Sequence, residues 1–594
     1  MIYNYQNKNK KFTTLYNIFS RIPIFVSMLS VFTFLYDIGF ERQSHYFEAL
    51  QFIYTCTLVV GAISLVVRYL FKESRPRLKV LPFEILLFVF LTFLAFQQFK
   101  LDFLQNVLLF KETFWLYIAI FIVFIREFSA VIINFKRTVI NPAQLFVISF
   151  LTIIVIGGFL LMLPKATFTE ISLIDAMFTS TSAVCVTGLI VVDTGSFFTE
   201  FGQILILILI QLGGIGIMTF ASYFSYFFRG VSSYENQLVL REISNIEKIG
   251  EVFSILKKII LFTFIIEGFG AFLIFQSIDV TVIHSMSDRL FFSVFHSVSG
   301  FCNAGFSTLK DSFYKSPFQY NYSLHLIIAM LIILGGLGFP IIFNLLKYLQ
   351  VKIKSSFLSF LRKKHENYTP WLLNVNTRIV LITSLLLLVF GTLLFYIFEF
   401  DNTLSDHNNY GKIVTAFFGA VTTRTAGFNT VDTSALNIPT VLIFIFLMWV
   451  GASPGSTGGG IKTSSLALAI LNIISIVKGK SRLEIFKREI SQISINRSYA
   501  IIILSIIVIS ISIICISFFD PEKGLLNISF ECVSAYSTVG LSRGITADLS
   551  IASKIILIFT MFIGRISMLT LLVAIFKKVS SERYRFPSEN ILIN

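Results

Sequence analysis

Four glycines, Gly188, Gly305, Gly427 and Gly540, follow one another at separations of 117, 122 and 113 residues, each in a stretch of small and hydroxyl-bearing side chains. Ten residues before each stands a phenylalanine (Phe178, Phe295, Phe417, Phe530), and directly after each stands Leu189, Phe306, Phe428 or Leu541. Glycine reaches left-handed backbone conformations without steric cost. Backbone twisted in that way turns successive carbonyl oxygens to one side, where they replace the hydration shell of a cation. The candidate ion-binding segments are Val186, Thr187 and Gly188; Asn303, Ala304 and Gly305; Thr425, Ala426 and Gly427; and Thr538, Val539 and Gly540. Close helix packing is the plainer use of glycine, and it suits Gly213 and Gly335 in their apolar runs. It does not account for glycines in hydroxyl-rich loops phased with phenylalanines.

Such loops need elements to carry them. A long apolar helix and a short amphipathic segment precede each anchor, and a further apolar helix containing Gly213, Gly335, Gly451 or Gly564 follows it. The predicted unit is helix, pore helix, loop, helix, repeated over 140–228, 229–348, 349–478 and 479–594. Ser172 and Asp175 have the spacing of a capping box, which marks the start of the first pore helix. The partial negative charge at that helix's carboxyl end then faces the loop. Irregular backbone at membrane depth is tolerated only where protein buries it or water lines it, so four such loops around one axis make an ion path.

The rest of the composition agrees with a membrane setting. The chain of 594 residues is 55% hydrophobic and 15% aromatic, with 68 Phe and a mean hydropathy of +0.81, far too apolar for a soluble protein. Runs such as Leu50 to Phe71, Leu145 to Leu163, Ile204 to Phe220 and Ile501 to Phe518 approach or exceed the ~20 residues that cross a bilayer. Twelve spans and four shorter re-entrant segments are predicted, an all-α integral membrane fold. The net charge of +15 falls between spans. Lys8, Lys10, Lys11 and Arg21, then Lys72 to Lys79, Arg126 to Arg137, Arg229 to Lys258, Lys347 to Arg378, Lys478 to Arg497 and Lys577 to Arg585 occupy every second connection. This alternation places the amino terminus and those loops in the cytoplasm of a multi-pass protein. Anionic membrane lipids, not nucleic acid, are the partners it implies. The first apolar run is too long for a cleaved signal peptide. Cys56, Cys185, Cys302, Cys515 and Cys532 are scattered and suggest neither a disulfide framework nor a metal site.

One segment breaks the helical pattern. Gly451-Ala-Ser-Pro-Gly-Ser-Thr-Gly-Gly-Gly-Ile-Lys-Thr463 cannot sustain a helix, so the second long helix of the third unit is predicted to be interrupted in mid-membrane. This string, with Cys185-Val-Thr-Gly-Leu189, Cys302-Asn-Ala-Gly-Phe306, Thr423-Arg-Thr-Ala-Gly-Phe428 and Ser537-Thr-Val-Gly-Leu541, resembles the Trk/Ktr/HKT superfamily of potassium transporters over roughly residues 140 to 580.

The resemblance implies potassium uptake through a carbonyl-lined filter. It further implies a gate formed by Gly455, Ser456, Thr457, Gly458, Gly459, Gly460 and Lys462, with Arg565 in the last helix as an electrostatic barrier. Potassium is then the transported ion, at the filter only, and the chain holds no other cofactor. A homodimer docked on a separate nucleotide-binding cytosolic ring, in the cytoplasmic (inner) membrane, is also implied. Ser567 and Met568 stand where the family commonly has glycine and proline, which removes the sequence signal for a kink. A sodium-permeable or sodium-coupled transporter of the same fold is the alternative; in related plant proteins serine in the first loop accompanies sodium transport, and here that position is Gly188.

Other polar residues have simpler expected uses. Glu267 is expected to make a buried hydrogen bond to a pore helix, His296 to be packed, and Arg424 to brace its loop from behind against an outer acid. Residues 1–139 form an accessory bundle, with Lys111 and Glu112 pairing locally. Only Arg126 precedes the terminal Lys136 and Arg137 in the fourth span, which lacks the arginine periodicity of a voltage sensor. Six scattered histidines supply no enzyme site. Gly213-Gly-Ile-Gly216 and Gly335-Gly-Leu-Gly338 lie in apolar helices, where their glycines serve packing.

Overall fold

The computed structural model describes residues 22–40, 44–70, 81–98, 113–130, 142–216, 252–360 and 372–576. Within them the protein is an all-α, multi-pass membrane protein; the only strands among the described residues are two-residue pieces, Glu484–Ile485 and Arg488–Glu489. Most of the basic connections, and the Lys111 and Glu112 pair, lie outside the described residues.

Helices Ile22–Gly39, Ser44–Leu70, Leu81–Gln98 and Thr113–Ala130 form an amino-terminal bundle around Leu58, Leu91, Ala119 and Ile120, all nearly inaccessible. Arg126 is buried there, 3.4 Å from Glu84 and beside Glu127. Arg126 is thus paired with carboxylates inside the bundle.

The four units follow. Their first helices are Pro142–Leu161, Val252–Ser277, Val375–Glu399 and Gln492–Phe519, and their short helices are Leu173–Val184, Met286–Phe301, Asn409–Thr422 and Leu525–Tyr536. Ser172, Ser285 and Asn408 cap three of the short helices by accepting from the amides of Asp175, Asp288 and Gly411, which satisfies donors left free at a helix start. The fourth begins after Gly524 with no side-chain cap. Phe178, Phe295 and Phe530 are completely buried at the phase expected, but in the third unit Phe418, not Phe417, is the buried ring. The third short helix ends five residues before its glycine where the others end four before. From buried ring to glycine the third unit is nonetheless one residue shorter, nine residues against ten, so counting back ten residues lands beside the correct ring.

The second helices go beyond the one interruption expected in the third unit. Among the described residues those of the second, third and fourth units are all interrupted, and that of the first ends at a glycine. Glu200–Ile215 ends at Gly216 with φ 85°. Tyr322–Leu337 turns through 101° at Gly338 into Phe339–Phe360, and Ile551–Ile566 turns through 89° at Ser567 into Met568–Ile575. Ile438–Trp449 gives way to irregular chain before Thr463–Val477. Gly216 and Gly338 thus end helices, whereas Gly213 and Gly335 pack. Ser567 holds φ 75° and ψ 129°, nearly the conformation of Gly338 at 83° and 139°. The kink persists without the glycine and proline that would have announced it.

Packing fixes the second helix to the short helix of its own unit. A Cβ on Gly213 would lie 2.0 Å from Val184 O, one on Gly335 1.9 Å from Phe301 O, and one on Gly564 1.8 Å from Tyr536 O. Val184, Phe301 and Tyr536 are the last residues of their short helices, so each contact sets the height at which a loop leaves its helix. In the third unit the matching contact is internal to the irregular segment, Gly451 against Gly459 O at 2.2 Å.

Candidate functional site

The four loops close into a ring. A Cβ on Gly188 would meet Ala304 O at 2.4 Å, on Gly305 Ala426 O at 2.4 Å, on Gly427 Val539 O at 2.5 Å, and on Gly540 Thr187 O at 2.2 Å. Each glycine faces the carbonyl of the residue before the glycine in the next unit, in the cyclic order one, two, three, four, one. Glycine is required here for two reasons: φ values of 87°, 70°, 83° and 89°, and the absence of room for any β-carbon. Sequence reasoning supplied only the first of these.

Two residues before each glycine, Val186, Asn303, Thr425 and Thr538 also have positive φ, between 52° and 68°. Three of the four are β-branched, for which this region is strongly unfavourable. Strain of about 1–3 kcal/mol per residue persists only where surrounding structure over-determines it. Here that structure is a hydroxyl behind each loop. Ser182 Oγ accepts from Gly188 N at 3.0 Å and Ser534 Oγ from Gly540 N at 3.1 Å, while Ser299 Oγ donates to Phe306 O and Thr422 Oγ1 to Phe428 O, both at 2.8 Å. The hydroxyl is common to all units, but it holds an amide in the first and fourth and a carbonyl in the second and third.

The irregular segment Gly451–Thr463 lies against this ring. Val450 and Ile461 form a parallel bridge across its ends. Gly459 N donates to Thr538 Oγ1 at 3.0 Å, and a Cβ on Gly458 would lie 2.1 Å from Thr425 Oγ1. Thr457 Oγ1 donates to Phe301 O at 3.3 Å, and Ser453 N donates to Gly336 O at 3.0 Å. The segment therefore touches loops or helices of the second, third and fourth units. Gly455 instead reaches Phe339 N through its carbonyl at 3.1 Å, and Ser456 Oγ caps Ser453 O at 2.6 Å. Gly460 has φ 66° and packs on Gly451 and Ser537.

Arg565 joins the remaining unit. One guanidinium nitrogen donates to Thr457 O and another to Gly213 O at 2.6 Å, so the fourth unit's second helix is tied to both the irregular segment and the first unit. Lys462 turns back on its own segment, with Nζ 2.6 Å from Gly458 O. Among the described residues Arg424 makes no contact with an outer acid. It donates to Ser384 O at 3.3 Å and Ser384 Oγ at 3.1 Å, on the first helix of its own unit. Glu267 accepts from Gln211 Nε2 at 3.0 Å and lies 3.8 Å from Cys302 Sγ at the end of the second short helix. His296 is packed, with hydrogen bonds to Phe292 O and Ser307 Oγ.

Thr425 and Thr538 as seats for the irregular segment, and Gln211 as partner of Glu267, escaped sequence reasoning. Thr538 and Gln211 have their partners in other units, Thr425 has its own 33 residues further along the third, and no sequence pattern links any of these pairs. A further residue missed is Glu531, buried on the fourth short helix, which accepts from Ser542 Oγ at 2.6 Å, Arg543 N at 3.0 Å and Thr546 Oγ1 at 2.9 Å.

A family model described as "TrkH: Cation transport protein" matches residues 107–585. The chain is 35% identical over 453 residues to "Ktr system potassium uptake protein B" of Bacillus subtilis, covering 76% of this chain and 96% of that protein. It is 33% identical over 465 residues to "Potassium/sodium uptake protein NtpJ" of Enterococcus hirae, covering 77% and 98%. In fold it resembles the crystal structure of the potassium transporter TrkH from Vibrio parahaemolyticus, with a TM-score of 0.58 at 17% identity over 82% of this chain and 97% of that one. With the same unit repeated around one ring and the family match running through all four copies, the chain belongs to the TrkH cation transport family, among the membrane subunits of the Trk/Ktr superfamily, and is a transporter, not an enzyme.

Proposed function

We propose that the protein conducts potassium into the cell through the ring of loops, and that Gly451–Thr463 gates it. The observation that carries this reading is the cyclic contact of each glycine with the next unit's carbonyl. It brings main chain against main chain at the four glycines, which supports a path lined at that level by carbonyl oxygens. Such oxygens replace the hydration shell of potassium and let it leave again toward the next site. The ion-binding segments are 186–188, 303–305, 425–427 and 538–540.

Beneath them the irregular segment and Arg565 close the path. A guanidinium at membrane depth repels a cation in a low-dielectric setting far more than in water. Its carbonyl partners, Thr457 O and Gly213 O, hold it there. Opening then consists of withdrawing the segment from Thr425 and Thr538 and releasing Thr457 from Arg565. Relatives named as potassium uptake proteins of a Ktr system support the ion, and the word system supports a partner. A homodimer bound to a nucleotide-binding cytosolic ring, in the inner membrane with the amino terminus cytoplasmic, completes the proposal.

The relative named as a potassium/sodium uptake protein favours a second reading, sodium permeation through the same ring. Rubidium uptake into potassium-starved cells, with and without sodium, separates the two. Sodium flux without rubidium flux would overturn potassium as the preferred ion.

A further inference from the structure

A cavity of about 170 Å³ lies between the second helix of unit two and the first helix of unit three. Its mouth is at Leu385, which is 63% exposed on the lipid-facing surface, and its inner wall includes Ala452, only 1% exposed, in the irregular segment. Gly336, whose carbonyl accepts from Ser453 N, also lines it. Ile332, Leu381 and Leu388 supply apolar walls.

One wall is charged. Arg424 lines the cavity, and neither Asp nor Glu does. Its terminal nitrogens reach only the carbonyl and hydroxyl of Ser384, and its buried Nε has no acceptor. A buried cation without a counter-charge is costly, and a buried N–H without an acceptor adds to that cost. The other three units carry Cys185, Cys302 and Ser537 at this position, so the charge belongs to this cleft alone.

We propose that the cavity binds a single-chain carboxylic acid, a free fatty acid entering from the bilayer, with its carboxylate on Arg424 and its chain leaving past Leu385. Depth selects this occupant over a phospholipid. Ser384 stands nine residues into Val375–Glu399, about 13 Å along it at ~1.5 Å per residue, near the middle of a hydrocarbon core ~30 Å thick. A phospholipid head group stays at the interface, whereas a fatty acid reaches mid-bilayer as the neutral acid and ionises against the guanidinium. The volume holds a carboxyl group and a few methylenes, on the scale of ~30 Å³ for each water-sized group. A ligand that binds the arrangement seen here, with Gly336 and Ala452 in place, shifts the population toward it. Its effect on flux, a decrease, rests on the gating role proposed above; its binding does not.

The test uses full-length protein in phosphatidylcholine nanodiscs with oleic acid labelled with ¹³C at the carboxyl. One protein-bound carboxylate resonance per chain is expected. Arg424→Gln should weaken binding about 10- to 100-fold, the loss of a charge-assisted hydrogen bond. Leu385→Trp, at an exposed position that leaves folding intact, should block entry, while Arg424→Lys should keep affinity within a few fold. Equal binding by wild type, Arg424→Gln and Leu385→Trp, equal competition by methyl oleate, or displacement by phosphatidylglycerol would overturn the site. Rubidium efflux from proteoliposomes is read separately. Bound oleate that leaves efflux unchanged refutes only the link to the gate.

Discussion

Arg565 donates directly to the carbonyl of Thr457, so a charge on the last unit's second helix holds the middle of the irregular segment inserted in the third. Hydrogen bonds from a charged donor contribute about 1.5–3 kcal/mol each. Replacing Arg565 with Gln removes the charge and weakens both anchors. The expected result is a rise in initial rubidium uptake by about tenfold, with Arg565→Lys intermediate because a single ammonium does not reproduce the fork that spans Thr457 O and Gly213 O. Unchanged uptake in Arg565→Gln would remove the arginine from the gate.

Deleting Ser456 to Gly460 acts on the same barrier from the other side. It takes away the seats on Thr425 and Thr538, and cation flux should rise at least as far as in Arg565→Gln. Combining the two changes should add little, because both remove one obstruction. A double variant with the full sum of the two effects would show that the segment and the arginine obstruct independently.

Gly188→Ser tests the ring. The new Cβ would lie 2.4 Å from Ala304 O at φ 87°, so loop one must retreat from loop two. Strain of about 1–3 kcal/mol, added to the displacement of the loops, should lower the rubidium-to-sodium flux ratio, measured per folded protein, by about tenfold. A ratio equal to that of wild type would mean that ring geometry does not select the ion.

Much of this arrangement was legible in the sequence because it is periodic. Glycines at near-equal intervals, hydroxyls before them and apolar helices around them repeat along the chain, and repetition exposes them. What stayed hidden is what departs from the period or joins one unit to another. The third unit's single-residue shortening moved the buried ring from Phe417 to Phe418. Ser567 takes a glycine-like conformation because the packing of Gly564 on Tyr536 O fixes the helix above it, and no local residue preference reports that. Arg424 was assigned an acid because a buried charge needs a partner; its partner in the fold is Ser384.

Ser567→Gly should stabilise the protein. The present serine occupies a φ, ψ region that favours glycine, and relief of that strain is on the order of 1 kcal/mol. The thermal midpoint in detergent should rise by a few degrees, and Ser567→Val, β-branched at positive φ, should lower it. If both variants melt with wild type, the kink is not held in the conformation described.

Glu531→Ala should loosen the loop that follows the fourth glycine. Three donors, from Ser542, Arg543 and Thr546, would lose a shared acceptor, and each buried donor left unsatisfied costs about 1–3 kcal/mol. Glu531→Gln keeps an acceptor oxygen and the shape of the site, so it should retain most of the stability and ion discrimination that Glu531→Ala loses. Equal behaviour of the two would assign Glu531 to packing alone.

Adjacent glycines give opposite expectations and so test the helix contacts most sharply. A Cβ on Gly335 would lie 1.9 Å from Phe301 O, a backbone atom that cannot move without shifting the end of the second short helix; on Gly336 the nearest atom is Asn303 Nδ2 at 3.4 Å. Alanine is favoured over glycine in a helix by about 1 kcal/mol. Gly336→Ala should therefore be neutral or stabilising, whereas in Gly335→Ala that gain is overwhelmed by the clash, and folded protein should be lost from size-exclusion chromatography. The same loss is expected for Gly213→Ala and Gly564→Ala, whose contacts with Val184 O and Tyr536 O are equally short. Normal yield and melting of Gly335→Ala would show that the second helix does not sit as close to the short helix as the ring of loops requires.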